Sequence, residues 1–587
     1  MITEPMSLSG TPEPLTKPPD GHADRDTAAT RHLCAGVYAD RAFRRKILHR
    51  IHSDPCHRVA PSYGFDLVPV VQHAWRSWSL DTSQQGALCL VLVLGRLYLG
   101  KPVVVTLLCW LGLHFCARTA VAAAPDAMRL KRRQLANRLL KPTVRDFSDL
   151  KHEHRLERQL WAFRTGCVPC LLFLLASLVS AGWEGRSPTG TIKAAFGLLL
   201  AIAVVVATAA ALRQLALNRI QHAAHLRSGR LNRRETVIDE QQSHTVVVYH
   251  RPDPKNEEEK WEEFDPFAPE PTIFVGSGQL VHRWLPPMVV QLLRPGDQDM
   301  REREYKEPPF CTHELVDHLR LAMRRAADPE DPLRLRLNVR DRVFLNERDI
   351  PAECDLLQGR PRPARLRQII DDAHHDAHQF LEMQVSTDGE LVTTCFLRAA
   401  VRGRSLSLDF AACALTRTPP HYQVMDLYGE SGVGAVIRAA LRALWRLPEE
   451  TAQLVWLCGA PLTLGRAALV VRDRTVVPRR RLLVGSRISI REDKSLSWKD
   501  SRFDETRIQD EIKLVEQRLL KAAECFLDSR EVDTSAFKRK AANIINNSGV
   551  LNMGGRLEMK NSAVGSGAKV QIQVQAQAGA QPQGGGS

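Results

Sequence analysis

The chain has 587 residues, 44% of them hydrophobic, and a net charge of +15, so it is too long for a single core and calls for two or three units. Thirteen cysteines, an odd number scattered from Cys34 to Cys525, exclude a disulfide framework and point to a reducing compartment for the soluble part. The excess of Lys and Arg fits nucleic acid, an anionic membrane surface or the positive-inside pattern of a membrane protein, and its local placement decides among them.

Residues 1–33 carry Pro, Thr and Asp but no apolar signal-peptide core, and predict a disordered lead. Residues 34–85 predict a basic interfacial segment. Phe43, Ile47 and Ile51 recur there at i, i+4 and i+8, with Leu48 beside them. Arg41, Arg44, Arg45, Lys46 and Arg50 surround that stripe, and Asp54-Pro55 ends it. This pattern predicts a basic amphipathic helix over 35–53, with those five side chains at a membrane interface. The alternative is a surface helix packed on the rest of the protein.

Ala87–Ala124 is one apolar tract broken by Arg96, Lys101-Pro102 and Arg118. Its length predicts a first transmembrane hairpin over 86–123, turning at Gly100-Lys101-Pro102. His114 in the second arm is either functional or a neutral side chain bonded to a neighbouring helix. A polar, basic helical linker follows at 124–165. The second hairpin covers 166–212. It ends in Ala194–Leu212, which has no charge and no Pro and is roughly 28 Å long as a helix. Cys167-Val168-Pro169-Cys170 at its mouth is a CxxC without thioredoxin-like context, or simply free thiols in apolar surroundings. Residues 213–239 form a basic juxtamembrane linker with Arg213, Arg219, Arg227, Arg230, Arg233 and Arg234. Four spans in two hairpins, with both termini cytoplasmic, satisfy the positive-inside rule at every loop of a plasma (inner) membrane protein. Three spans would put 41–50 outside. Topology thus accounts for the charge; the bilayer is the expected partner and nucleic acid is not.

Residues 240–530 predict a cytoplasmic α+β domain. It opens with a strand at His244–His250. A helix over 312–327 is capped by Thr312 and striped by Leu315, Leu319 and Met323. A strand over Leu333–Leu345 and a short helix over Ala364–Ala373 lead into a meander. Its first turn is Asp388-Gly389, a type I′ signal, and its second is at Arg402-Gly403. In the third strand Leu406, Leu408, Phe410, Ala412 and Ala414 share a face. Helices at 433–446 and 505–528 close the domain, with a short helix at 531–547. Ala452–Val471 is apolar enough for a fifth span. Gly459-Ala460-Pro461 and Arg466 interrupt it, and the basic run after it would be stranded outside, so it reads as buried or peripheral.

The densest cluster of metal-ligand types is His374, His375 and His378 with Asp371, Asp372 and Asp376. His374 and His378 at i, i+4 would share a helix face, as in a zinc site, although no HExxH glutamate accompanies them; a polar helix end is the alternative. Gly429–Gly434 has half a phosphate loop but Ala435-Val436 where Lys-Ser/Thr belongs. No cofactor is implied, and the sequence points away from an enzyme.

Pro61–Leu67 (PSYGFDL), Phe274–Gly278 (FVGSG), Gly485–Glu492 (GSRISIRE), Val532–Ser535 and Asn546–Gly549 together resemble a group of multi-pass membrane proteins from actinobacteria. The resemblance implies a membrane protein and supplies no catalytic residues. Residues 548–587 form a low-complexity Gly/Asn/Gln tail. In it Val570, Gln571, Ile572, Gln573 and Val574 open a strict alternation of apolar residues with Gln that runs to Ala578. Val570-Gln571-Ile572 resembles the core of the homotypic interaction motifs of necroptosis kinases and of bacterial amyloid-signalling tails, with Gln573 where that core has Gly. The resemblance implies self-assembly, and hence a homo-oligomer through the tail. Three functions follow: a membrane-anchored interaction or signalling protein, a small-solute channel or transporter, and a membrane-bound enzyme.

Overall fold

A computed structural model describes residues 26–139, 166–183, 187–250, 273–328, 336–427, 430–469 and 484–546, apart from a few positions inside those ranges. The tail with Val570–Val574, most of the lead, and the basic runs at 140–165 and 476–483 lie outside the described residues.

The first described helix is α1 (Ala28–Ala39), whose Thr27 cap accepts from the Thr30 N–H. Asp40 then caps α2 (Arg41–Lys46), accepting from the N–H groups of Ala42 and Phe43, and a π turn carries the chain to His52. The stripe expected on a leaflet surface is inside the protein instead. Phe43, Ile47, Leu48 and Ile51 are at most 5% exposed and share one core with α1, the start of α3 (Leu67–Leu94), Ile220 and Ile238. An apolar face buries itself on the apolar surface that is nearest, and here α1 and α3 supply it.

α3 begins well before the predicted first arm. Asp66 caps it, and it passes through a π turn, Gly95–Leu99, to Gly100. Its first half buries both apolar and polar residues, while its end bares Leu90, Val93, Leu97 and Tyr98. Gly100, at φ +86°, reverses the chain into α4 (Lys101–Leu139), which outruns its predicted arm. After α5 (Gly166–Trp183) comes α6 (Pro188–His222), capped by Ser187. Among the described residues, three helical stretches are long and apolar enough to cross a membrane: Lys101–Val121, Gly166–Trp183 and Pro188–His222. The arm at 86–100 is not a fourth by itself, because it is the end of a half-buried helix.

Beyond α7 (Arg233–Gln242) the domain is α+β. Its sheet contains β1 (Val246–Tyr249), β2 (Gln279–Arg283), β3 (Met288–Gln291), β4 (Leu337–Asn346), β5 (His378–Thr387), β6 (Leu391–Arg402) and β7 (Ser405–Leu415). The order is β1-β4-β5-β6-β7-β2, and β3 lies beside β2 on the same edge of β7. Only β1 runs parallel to its neighbour. The meander and its I′ turn stand as expected: Asp388 and Gly389 have φ of +51° and +72°. The even-numbered β7 residues from Leu406 to Ala414 face a core built with α8 (Thr312–Ala326) and the long α13 (Arg502–Ser529). Cys311, not Thr312, is the cap residue of α8; Thr312 is its buried first residue. The opposite face of the sheet holds Phe274 stacked on Phe396 at 4.2 Å, with Phe344 and Phe380 edge-on to it.

α9 (Pro363–Asp371) packs on β5, β6 and α8, whereas α10 (Gly432–Trp445) and α11 (Leu447–Ala452) lie against α6, followed by α12 (Ala460–Leu469); α14 (Ser535–Asn546) ends the described chain.

Candidate functional site at the edge of the apolar helices

One carboxylate collects three guanidinium groups where the apolar stretch of α6 ends. Asp81, on α3, is bound by Arg44 of α2, by Arg213 of α6 at 2.7 Å and by Arg41 of α2 at 3.3 Å. Glu450 of α11 closes the cluster, 3.6 Å from Arg41, 3.8 Å from Arg213 and 3.1 Å from the Gln84 amide that donates to it. Arg213 also donates to the Gln84 carbonyl, and Arg44 donates to the Ser77 hydroxyl at 2.6 Å. Asp81 and Arg44 are under 10% exposed on their side chains. Burial lowers the Arg44 pKa from its ordinary value, and the Asp81 charge works against that shift. Four chain segments therefore meet in one ion cluster whose centre, Asp81 with Arg44, is buried, and breaking that central pair leaves a buried charge uncompensated. The membrane-interface residues expected from sequence divide accordingly. Arg41 and Arg44 belong to this clamp, Lys46 pairs with Asp493 at 2.6 Å, and Arg45 and Arg50 are exposed.

α11 reaches the clamp because its chain leaves the sheet domain and follows α6. The Gln214 and Asn218 side chains donate to the carbonyls of Glu430 and Gly432, and Ala443, Leu444 and Leu447 pack with Leu198, Ile202 and Val206. The Trp445 carbonyl accepts from His114 and Arg118, both at 3.3 Å, and Arg118 pairs with Glu449 at 2.6 Å. His114 thus has a neighbouring backbone as partner. Leu454, Leu457 and Cys458 then line an open apolar groove together with Cys89, Leu92, Val93 and Leu97 of the first hairpin. Within the described part of the stretch 452–471, α12 leaves Leu462 and Leu464 exposed.

A second junction ties this module to the sheet. His32 of α1 sits between Glu390 at 2.7 Å and Asp426 at 2.6 Å. Burial alone lowers its pKa, but Glu390 and then Asp426 outweigh that, and the net shift is upward. Burial pushes Glu390 up, while His32 and the Arg491 charge pull it down, for a net fall. Arg491 is fully buried and donates to the carbonyls of Gly389, Glu390 and Thr416. The PSYGFDL, FVGSG and GSRISIRE runs converge here. The Gly276 N–H donates to Glu492 at 3.0 Å; a Cβ on Gly276 would lie 2.7 Å from the Pro61 carbonyl, and one on Gly389 1.9 Å from that of Gly64.

The expected metal pair does not form. α9 ends at Asp371, so His374 and His378 share no helix face: His374 is in an exposed turn and His378 opens β5, where burial lowers its pKa to about 4 and keeps it neutral. The chain breaks helix there so that Ile369 and Ile370 stay in the core while β5 starts. Among the described residues, potential ligand atoms converge instead at Cys311, His313 and Asp371, where Asp371 caps the start of α8 through the His313 N–H at 2.9 Å. Sequence reasoning passed over Asp81, although it is the one acidic residue between Asp66 and Asp126. A lone carboxylate entering an apolar tract is itself a signal.

Residues 287–560 match a family model described as an AbeC-like domain. The match covers the sheet from β3 onward with its helices and the excursion to α6, and leaves α1 to α7 outside. No curated protein and no solved structure matches the chain.

Replacing Asp81 by Asn is expected to cost about 3–5 kcal/mol of stability, because the buried Arg44 loses its carboxylate partner and Arg41 and Arg213 keep only the longer contacts to Glu450. Arg404→Ala, which removes a partly exposed pair with Glu304, should cost under about 1 kcal/mol. Thermal unfolding of both variants in one detergent decides this, and equal losses would contradict the clamp. The His32 clasp has its own pH signature. Its raised pKa makes the His32 contribution complete below the ordinary 6.5 and lost as pH rises through the folded value. The lowered Glu390 makes its contribution complete above the ordinary 4.5 and lost on acidification. The stability gap between the protein and His32→Asn should be widest between those values and shrink at higher pH; a gap independent of pH would refute it.

Proposed function

We propose that this is a membrane-anchored interaction or signalling protein of the plasma (inner) membrane. Four spans in two hairpins hold the α+β domain on the cytoplasmic side, together with both termini, and the tail recruits further copies. The observation that carries this reading is the excursion 432–469. The domain sends its own helices down the face of α6 and seals them with the Glu449 and Glu450 pairs. A domain held in this way presents its remaining surface in a fixed orientation above the bilayer, which suits recruitment. The fourth span follows from chain continuity. If Lys101–Val121 crosses, Gly100 is on the far side, and the chain must reach it from the Asp81 clamp, roughly 28 Å of α3 away. Arg219, Arg227, Arg230, Arg233 and Arg234 after α6 match a cytoplasmic end by the positive-inside rule. The transporter reading is weaker, because Asp81 at the edge of the bundle is held by its three Arg partners and His114 within α4 is bonded to the Trp445 carbonyl.

Reporter fusions after residues 60, 140 and 240 should give cytoplasmic signals, and one at 187 an external signal. An external signal at 240 would overturn the topology. For the tail, a peptide of residues 543–587 should assemble with thioflavin fluorescence and a cross-β diffraction pattern, and Ile572→Pro should abolish both by removing a ladder donor. A peptide that stays monomeric and unstructured at high concentration would remove recruitment through the tail.

A further inference from the structure

α4 and α5 run antiparallel, and two GxxxC steps face each other across their seam. On α4 the step is Gly112 to Cys116; on α5 it is Gly166 to Cys170. Each cysteine fills the space left by the opposite glycine: a Cβ on Gly112 would lie 2.7 Å from the Cys170 Sγ, and one on Gly166 would lie 2.9 Å from the Cys116 Sγ. Farther along, Thr106 and Ser177 share a hydrogen bond of 3.0 Å in the same register. Small residues at every fourth position let helices approach closely. Alanine would serve that purpose as well, yet this seam carries thiols. Cys116 packs against Gly166, the residue before Cys167, and Cys170 packs against Gly112, with Cys109 one turn before Gly112 on the same helix. All four are free. Cys116 is buried and Cys167 is partly exposed. Both stand at the polar end of the seam, Cys116 two residues before Arg118 and Cys167 three after Arg164.

We infer that Cys116, Cys167 and Cys170 form a thiol site oxidised by hydrogen peroxide, whose product is a disulfide stapling α4 to α5. Cys167, the accessible thiol, attacks one peroxide oxygen. An S–O bond forms, the O–O bond breaks, and the departing oxygen leaves as water, with Cys167 as sulfenic acid. The Cys116 thiol then attacks the Cys167 sulfur, forms the S–S bond and expels a second water. Two electrons pass from the sulfur pair to one peroxide, which becomes two waters. Cys170 can displace Cys116 from Cys167 by exchange, moving the disulfide into the CxxC with no net redox change. Two neighbouring thiols of one helix, three positions apart, fall within disulfide reach. The staple acts on the helix that carries His114 and Arg118, and so on the excursion that holds the sheet domain.

The test uses the full chain in lipid nanodiscs, reduced, then treated with hydrogen peroxide and cut between residues 125 and 164. The two fragments should stay joined without reductant, separate with it, and yield a Cys116–Cys167 linked peptide by mass spectrometry. Cys116→Ser should lose the joined band and accumulate the Cys167–Cys170 disulfide instead. Cys170→Ser should keep the joined band, and Cys89→Ser should leave the pattern unchanged. Circular dichroism of each variant establishes that the helices are intact. In folded protein, fragments that separate without reductant, or a joined band that survives Cys116→Ser, would overturn the assignment.

Discussion

The arrangement depends on the cost of leaving one carboxylate unpaired at the edge of a low-dielectric helix bundle. Asp81 cannot be both buried and ionised without counter-charges, and its partners come from α2 and α6. Once they converge, α2 is fixed against α3 and α6 against both, and Glu450 draws α11 into the same place. The apolar contacts of Leu88, Leu107, Ile202 and Leu447 tighten this bundle, but non-directional packing does not select a register. The ion cluster does, because a slip of one helical turn would separate Arg213 from Asp81.

The junction with the sheet works by steric exclusion and donor supply. Gly276 and Gly389 face backbone carbonyls so closely that a side chain would be excluded, and Arg491 brings two carbonyls of the β5–β6 turn and one just past β7 to one guanidinium. The basic linker after α6 is used in the same way. Arg234 donates to the carbonyls of Ile51, His52 and Asp54, and Arg227 bridges Asp66 and Asp239. Arginines that count toward a positive-inside pattern thus also satisfy orphan carbonyls at a helix end and a buried carboxylate at a helix start.

Which surfaces face lipid is likewise a matter of partners. α10 turns Val433, Ile437, Leu441 and Trp445 outward while its other side lies on α6, which itself leaves Phe196, Leu200 and Val204 bare. A stripe of the same periodicity on α2 is buried, because α1 and α3 cover it. Periodicity identifies an apolar face and says nothing of what meets it.

Local physics was legible in the residues themselves. The alternation in β7, the Asp388-Gly389 turn, the Leu315–Leu319–Met323 stripe and the long uncharged run of α6 are set by dihedral preference and by spacing along the chain. These act over a few residues, and a sequence displays them directly. Tertiary structure alone decided the contacts between residues hundreds of positions apart. It placed Arg44, Asp81, Arg213 and Glu450 in one cluster, dissolved the His374–His378 face by ending α9 at Asp371, and set the GxxxC step of α4 against that of α5. Those outcomes depend on which charges could be paired and which faces covered once every segment was present, and spacing along one segment carries no information about either.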